Sequence, residues 1–331
     1  MTPERMHRIS VITPVYGGER TLPLLVPEIV ALTAPQRSPD GHQWVVSEWL
    51  LVYDNGRDGS ADVIADLAAA HDVIRPVWLS RNYGQHSATL AGMASSNGDW
   101  IVTLDEDGQH DPGDIGLFLD QAIRDNAQLV YAEPTNPPPH GAFRNLASRG
   151  AKWVFATFLS SGAPATFQSY RLIIGELGRS VAAYTGAGVY LDVALGWVVG
   201  RTSAVPVVLR DEGDRTSGYD LRRLLSHFWR LVVSSGTRSL RIVSVLGALF
   251  ALGGGLFAAY LVAMTLFNNS SPQGWTSTMV VVLVSTGAIL FSLGVIAEYV
   301  GVAVNMAMGR PPYLIVSDPK DGPLGRRPGP R

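Results

Sequence analysis

The sequence predicts an α/β protein: a domain built on a mostly parallel sheet, then an interfacial helix, then a hairpin of two membrane-spanning helices. Three observations lead to this prediction. Apolar runs of about five residues alternate with amphipathic helical segments in the first part of the chain, as in sheets covered on both faces. Two long stretches near the C-terminus carry no charge, and a basic segment rich in bulky apolar residues precedes them.

The composition narrows the classes of protein that fit. The 331 residues suffice for one sizeable domain with an appendage. The net charge of −2 argues against a general nucleic-acid binder, and the absence of cysteine excludes disulfides and thiolate metal sites. The first residues contain no apolar core of signal-peptide length, so the first domain is expected to stay in the cytoplasm.

The first part of the chain is predicted to alternate strands and helices. The strands are β-branched or apolar runs: Arg8–Thr13, Trp49–Tyr53, Val73–Leu79, Trp100–Leu104 and Gln128–Ala132. The helices have apolar residues at helical spacing: Thr21–Leu32, Ser60–His71, Gly84–Ser96 and Asp114–Arg124. A proline-rich loop over Pro134–His140, a helix over Phe143–Phe158 and a late strand over Val205–Leu209 are predicted to follow.

The predicted domain boundaries follow the change in composition. Residues 1–220 form the α/β domain, and residues 221–241 an interfacial helix in which basic and bulky apolar residues alternate. Residues 242–303 hold two transmembrane helices, about 242–267 and 278–302, each long enough to cross roughly 30 Å of hydrocarbon. Residues 304–331 form a tail. Two buried core helices are the alternative, although soluble core helices of this length usually carry a charge.

The charges around the two uncharged runs predict their orientation. Arginines precede the first run at positions 222, 223, 230, 238 and 241, and Arg310 follows the second. The short polar loop between the runs carries no charge. Because positive residues stay on the cytoplasmic side, both chain ends and the first domain are expected there, in a multi-pass protein of the cell membrane.

The segment LDEDGQHDP (Leu104–Pro112) is the strongest candidate site. Asp105 and Asp107 follow a predicted strand, and Gln109 comes two residues later. Oxygen ligands at a sheet edge suit a hard divalent cation that keeps positions open for substrate phosphates. A solvated acidic turn is the alternative.

Polar groups also follow the other predicted strands. ITPVYGGE follows the first strand and holds Pro14, Tyr16 and Glu19, VYDNGRDGS follows the second and holds Asp54, and RNYG follows the third and begins with Arg81. In parallel sheets, ligands bind beyond the carboxyl ends of the strands, so these groups are expected to share one site.

Taken as a set, these motifs resemble family 2 glycosyltransferases of the GT-A fold, in particular dolichol-phosphate mannose synthases and bactoprenol glucosyltransferases. The matches are Pro-x-Tyr-x-x-Glu at Pro14–Glu19, RNxG at Arg81–Gly84, and DxDxQ at Asp105–Gln109. Tyr170-Arg171-Leu172 is similar to the family's FRL, and Arg210 with Ser217-Gly218-Tyr219 to its RxxGxSxY loop. AEYVG and GRPPYLIV resemble the endings of the two-span bacterial branch.

The resemblance implies a Rossmann-like GT-A domain and a role for each matching residue. Pro14, Tyr16, Glu19, Asp54 and Arg81 would bind a UDP- or GDP-sugar, and Asp105 its diphosphate. Asp107 and Gln109 would hold Mg²⁺ or Mn²⁺. Asp105, Asp107 and Arg171 would act in catalysis, and Arg210, Arg215, Ser217 and Tyr219 would bind the phosphate of a polyprenyl lipid, with Arg171 also steering it.

This chain departs from the family pattern at two places that bear on function. Tyr53 replaces the first acid of the expected acidic pair, which leaves the base of the donor nucleotide open. Gln168 and Ser169 precede YRL where some relatives carry an acid. We therefore expect no dedicated general base, and we expect Asp192, a spare carboxylate, to tolerate asparagine.

The predicted function is an inverting, metal-dependent hexosyl transfer to a polyprenyl phosphate at the cytoplasmic membrane face, for cell-envelope glycan assembly. Transfer to a lipid-linked sugar or glycolipid, and a catalytically silent membrane partner, are the alternatives. The expected partners are the nucleotide sugar, the lipid and the membrane, with a homo-oligomer left open and no nucleic acid.

Overall fold

The computed structural model of the chain describes residues 5–136, 168–210, 274–323 and 325, with six separate positions between 252 and 263. Strands and helices alternate in the first stretch, as predicted. The strands are β1 (His7–Val15), β2 (Gln36–Arg37), β3 (Gln43–Tyr53), β4 (Ile74–Leu79), β5 (Trp100–Thr103) and β6 (Leu129–Pro134). The helices are α1 (Leu22–Ala31), α2 (Ser60–Ala70), α3 (Gln85–Ser95) and α4 (Ile115–Asp125), the last preceded by a 3₁₀ turn at Pro112–Asp114.

The later described stretches add further elements. These are β7 (Arg171–Ile174), α5 (Gly175–Tyr184), α6 (Leu191–Val198), β8 (Thr202–Val207), α7 (Trp275–Ala307), β9 (Ile315–Val316) and a 3₁₀ turn at Pro319–Asp321. Of these, the sequence predicted β8 and α7, with slightly different ends.

The nine strands of the described residues form one mixed, mostly parallel sheet in the order β8-β6-β7-β5-β1-β3-β4-β9, and β2 pairs with β3. β1, β3, β4 and β5 run parallel, as do β6 and β8. β7 lies antiparallel between β5 and β6, and β9 lies antiparallel beside β4. The predicted α/β class is confirmed.

Helices cover both faces of the sheet, which explains why the central strands are apolar throughout. One buried cluster joins β1 and β3 to α1, α2 and α4 through residues such as Leu22, Ile64 and Phe118. The other joins the same strands to α3, α5 and α6 through Met93, Val181 and Leu195. The carboxyl ends of β1, β3, β4 and β5 are left at one edge of this layered core.

Helix α7 contains the second predicted transmembrane run and extends beyond both of its ends. Its 33 residues would span about 50 Å, and the window Val284–Asn305 has a mean hydropathy of 1.9. Within the described part of the chain, it is the one helix long and apolar enough to cross a membrane. Most of the run at 242–267 lies outside the described residues, as do the predicted segments at 143–158 and 221–241.

The tail after α7 returns to the sheet. The prediction treated residues 304–331 as a separate tail, whereas β9 pairs with β4 and extends the sheet of the first domain at its edge. The cause is the free edge of β4, whose backbone groups need partners.

Candidate active site

A cavity of about 390 Å³ opens at the carboxyl edge of the sheet. The ends of four strands and the residues that follow them line it: Pro14, Val15 and Tyr16 at the end of β1, Asp54 after β3, Asn82, Gly84 and Gln85 after β4, and Asp105, Glu106 and Asp107 after β5. Five residues that the motifs singled out therefore share one cavity: Pro14, Tyr16, Asp54, Asp105 and Asp107.

Asp54 lies at the base of this cavity and holds its wall. The side chain is 3% exposed, and its two oxygens accept hydrogen bonds from the backbone N–H groups of Tyr83 (2.7 Å) and Gly84 (2.8 Å). Burial raises the pKa of Asp54 to about 6, although both amides and the nearby Arg81 act in the opposite direction. Asp54 thus ties the end of β3 to the segment that follows β4.

Tyr53, which replaces an acid of the family pattern, plays no part in the cavity lining. Its hydroxyl donates to the carbonyl of Gly56 (3.1 Å), and its ring packs edge-on against Trp78. Burial raises the pKa of Tyr53 to about 12, so the phenol stays neutral. Successive strand residues point to opposite faces, which is why Asp54 reaches the cavity while Tyr53 enters the core.

Both oxygens of Asp105 are bound by neutral donors. Gln85 Nε2 donates to Oδ1 (2.6 Å), and Ser169 Oγ donates to Oδ2 (2.5 Å). The backbone N–H of Asp105 donates to His110 Nδ1 (3.1 Å). The sequence indicated neither Gln85 nor Ser169 as a partner of this carboxylate.

His110 is buried rather than at the surface. Its ring stacks on Tyr170, with 4.9 Å between centroids, and burial lowers its pKa in spite of Asp105 and Asp107 nearby. Because Nδ1 accepts this hydrogen bond, the neutral ring carries its own hydrogen on Nε2. His110 therefore supports the backbone turn below the carboxylates.

Glu106, the middle residue of the acidic segment, closes the turn after β1. Its carboxylate accepts from the backbone N–H groups of Tyr16 (2.9 Å) and Gly17 (3.0 Å). A β-carbon on Gly18 would come within 2.9 Å of Glu106 Oε2, so a side chain at this position would displace the Glu106 carboxylate. Glu106 was not predicted, because the DxD motif leaves its middle position unspecified.

Asp107 and Gln109 form a tight turn beside the cavity. The N–H of Gln109 donates to Asp107 Oδ1 (3.0 Å), and Gly108 between them adopts a left-handed φ of +78°. Asp107 lines the cavity, whereas Gln109 is not among the lining residues.

Glu19 and Arg81 lie outside the cavity lining. Glu19 accepts from the N–H of Gly59 (2.9 Å) at the start of α2. The guanidinium of Arg81 lies 4.1 Å from the ring centre of Tyr83. Both residues stabilise loops that border the site, since a helix N-terminus favours a carboxylate and an aromatic face favours a cation.

Arg171 was expected to steer a lipid phosphate, and the structure encloses its side chain. Its side chain is 4% exposed and forms an ion pair with Asp192, which is equally buried. Arg171 Nε donates to Thr103 Oγ1 (3.2 Å), and Tyr131 donates to Asp192 (2.9 Å). A guanidinium enclosed in this way cannot meet a phosphate without breaking a buried pair. Asp192 is likewise not a spare carboxylate.

Arg210 connects the end of the domain to the acidic segment. Its guanidinium forms ion pairs with Glu28 (2.9 Å) and Asp111 (2.8 Å). The backbone N–H of Arg210 donates to the backbone carbonyl of Gln109 (2.9 Å). The chain therefore leaves the domain directly beside the Asp107 turn. Arg215, Ser217 and Tyr219 lie outside the described residues.

The carboxylates fit a divalent cation that is shared with a substrate. No group of three acidic or histidine side chains suited to a metal occurs within the described stretches. Mg²⁺ and similar ions, however, use one or two carboxylates and complete their shell with water and substrate phosphates. Asp105 and Asp107 both line the cavity, which leaves room for phosphates beside them.

Several known proteins are similar to this chain in sequence. The sequence profile of glycosyl transferase family 2 matches residues 10–177. The chain is 28% identical to the undecaprenyl-phosphate 4-deoxy-4-formamido-L-arabinose transferase of Sodalis glossinidius (strain morsitans) over 98% of this chain and 97% of the relative. It is 30% identical to the transferase of the same name from Yersinia enterocolitica over 94% of each chain.

Among solved structures, the mannosyltransferase PcManGT from Pyrobaculum calidifontis, in complex with GDP-Man and Mn²⁺, is similar to this chain. The TM-score is 0.49 at 16% identity, over 93% of this chain and 89% of the other.

Proposed function

The chain belongs to glycosyl transferase family 2, and we propose that it transfers a sugar from a UDP- or GDP-sugar to a polyprenyl phosphate at the cytoplasmic face of a membrane. The observation that carries this proposal is the cavity at the sheet edge, lined by Asp54 and by Asp105–Asp107, in a chain that also holds the long apolar helix α7. Relatives named as undecaprenyl-phosphate sugar transferases are similar over nearly the whole chain.

The donor occupies the cavity in this proposal. Pro14 and Tyr16 border the nucleoside, Asp54 holds the wall against which it packs, and Asp105 faces the diphosphate. Glu19 and Arg81 contribute from the surrounding loops, where the structure places them. The sugar named for the relatives is an arabinose derivative, a pentose. We therefore leave the sugar of the donor open between pentose and hexose.

We propose that Asp107 holds Mg²⁺ or Mn²⁺ together with the donor phosphates, with Gln109 as a further ligand. A cation bound there would neutralise the negative charge that develops on the leaving diphosphate. The chain's own contribution is to fix the carboxylates: Gln85 and Ser169 orient Asp105, and the N–H of Gln109 orients Asp107.

The acceptor phosphate attacks without a protein base in this proposal. A phosphate monoester has its second pKa near 6, so its oxygen is already ionised at neutral pH. Two contacts support this: Ser169 donates a hydrogen bond to Asp105, and Asp192 is engaged by Arg171. Attack opposite the leaving diphosphate inverts the anomeric carbon.

The acceptor would approach from the side where the chain leaves the domain. Arg210 anchors that exit beside the Asp107 turn, and Arg215, Ser217 and Tyr219 follow within ten residues. We propose that these three residues bind the lipid phosphate while Arg210 fixes the start of their segment. An arginine suits phosphate because its planar donors bind two oxygens at once.

The test of this function is transfer of label from a nucleotide sugar into the lipid phase. The full chain in liposomes with undecaprenyl phosphate is incubated with labelled UDP- and GDP-sugars in turn. One donor should give a labelled lipid, and excess EDTA should abolish the transfer. Asp107→Asn should reduce the rate by about two orders of magnitude or more, because one charge is lost at the site of charge development.

Asp66→Asn is the matched control, since Asp66 lies exposed on α2 away from the cavity. It should transfer at the wild-type rate. Label that appears only on a pre-glycosylated lipid would favour the glycolipid alternative. Transfer that persists in EDTA or in Asp107→Asn would refute the metal assignment, and no transfer with any donor would favour a silent partner.

A further inference from the structure

The tail that follows the membrane helix is attached to both faces of the sheet. β9 pairs with β4 through Leu79 with Ile315 and Trp78 with Val316, and the N–H of Ser80 donates to the carbonyl of Leu314 (3.0 Å). Tyr313 is half-buried against the cluster that contains α3 and α5, while Val316 packs against the cluster on the opposite face. This two-residue strand is therefore held by side-chain packing as well as by the backbone.

The strand that β9 covers leads directly into the wall of the cavity. Ser80 follows β4, and its hydroxyl lies 2.9 Å from the hydroxyl of Tyr83. The N–H of Tyr83 donates to Asp54 (2.7 Å), and Asn82 and Gly84 line the cavity. Successive hydrogen bonds thus connect the backbone of Leu314 to the carboxylate at the base of the cavity.

The same tail is joined to α7 by a short connection. Helix α7 ends at Ala307, and residues 308–314 can span at most about 26 Å before β9 begins. Gly309 turns the chain with a φ of +65°, and the N–H of Arg310 still donates to the carbonyl of Asn305 (3.1 Å). Pro311 and Pro312 then restrict the backbone. The end of the membrane helix is consequently kept close to the edge of the cavity.

We propose that β9 is a positioning element for donor binding, with Tyr313 as its anchor. When the tail is seated on β4, it holds the segment from Ser80 to Gly84 in the conformation that forms the cavity wall. The membrane helix and the donor site are thereby coupled. Because coupling is reciprocal, a nucleotide in the cavity stabilises the seated tail in turn. This inference rests on the proposed function only in assigning the donor to the cavity.

The first test separates donor binding from turnover in the liposome assay. Tyr313→Ala removes the anchoring ring, so the donor KM should rise about tenfold, while kcat and the acceptor KM change less than about twofold. Tyr313→Phe keeps the ring and should restore the wild-type donor KM. Leu314→Ala is the matched control, because the Leu314 side chain is 51% exposed and its carbonyl remains.

The second test is hydrogen exchange of the full chain in detergent, with UDP or GDP as the probe. The nucleotide that binds should slow hydrogen exchange at residues 313–316 and in β4. The variant Ser80→Ala leaves the tail sequence intact. It should reduce this protection and raise the donor KM. Ser80→Ala also replaces Tyr313→Ala in the kinetic test if Tyr313→Ala does not fold.

A nucleotide that binds without protecting residues 313–316 overturns the inference, as does a Tyr313→Ala effect confined to kcat or to the acceptor KM. Neither result affects the proposed function, which fails instead if the wild-type chain transfers no sugar.

Discussion

Asp54 and Asp105 follow the ends of β3 and β5, and their carboxylates accept hydrogen bonds from different kinds of donor. Burial raises the pKa of Asp54 to about 6, even though the backbone amides of Tyr83 and Gly84 act in the opposite direction. Asp105 is bound by the side chains of Gln85 and Ser169. The charge of Asp54 therefore changes at about pH 6.

We predict that donor binding weakens as the pH falls through about 6, because protonated Asp54 loses an acceptor for Tyr83 or Gly84. The contribution of Asp54 to the free energy of unfolding depends on pH in the opposite direction. Since the folded-state pKa lies above the unfolded value of about 3.9, this group contributes stability below pH 4 or so that is lost as the pH rises through about 6.

Calorimetric titration with an intact nucleotide sugar measures the binding without the acceptor phosphate, which ionises near the same pH. Asp54→Asn should bind the donor more weakly and without this pH dependence. An unchanged pH profile in Asp54→Asn would assign the ionisation to another group.

At the scale of the elements, the turn after β1 contacts the turn after β3 at Gly56. A β-carbon built on Gly56 would lie 1.9 Å from the carbonyl oxygen of Tyr16, which no side-chain rotation can relieve. Gly56 is therefore required by the close approach of the loop that borders the nucleoside in our proposal.

Gly56→Ala should displace the Tyr16 turn, lower the free energy of unfolding by about 2 kcal/mol and raise the donor KM. Thermal unfolding and donor kinetics measure the two effects. Gly196→Ala is the matched control, because a β-carbon there meets nothing within 4 Å and helix α6 gains a better helix former. Equal behaviour of the two variants would contradict the tight approach.

The elements that were predictable are those whose own sequence carries the signal. β1, β3, β4 and β5 are apolar runs, and the rule that ligands bind at carboxyl ends brought Asp54, Asp105 and Asp107 to one edge. β7 and β9 are short antiparallel strands whose pairing depends on partners far along the chain, so no local pattern indicates them. The contacts of Gln85, Ser169 and Glu106 and the burial of Arg171 beside Asp192 also join residues that are distant in the sequence. No local pattern indicates them either.

For the whole molecule, the pairing of β9 with β4 restricts the path of the chain through a membrane. If α7 crosses a bilayer, its Ala307 end lies on the side of the first domain, because β9 follows closely and joins that domain's sheet. The Trp275 end then lies on the opposite side. The chain leaves the first domain at Arg210, so we predict from the sequence that the uncharged run 242–267 supplies a second crossing.

Independently of the arginine distribution, the pairing of β9 with β4 predicts that the loop between the two runs and the first domain lie on opposite sides of the membrane. The chain has no cysteine, so each introduced cysteine is a single reporter. In intact cells, Ser271→Cys should react with an impermeant maleimide, whereas Ala70→Cys on α2 and Ser317→Cys after β9 should react only after the membrane is opened.

Labelling of Ser317→Cys together with Ser271→Cys, but not Ala70→Cys, would show that the tail does not remain on the sheet. Labelling of Ala70→Cys and Ser317→Cys but not Ser271→Cys would place the cavity outside, away from the cytoplasmic nucleotide sugars that the proposed reaction requires.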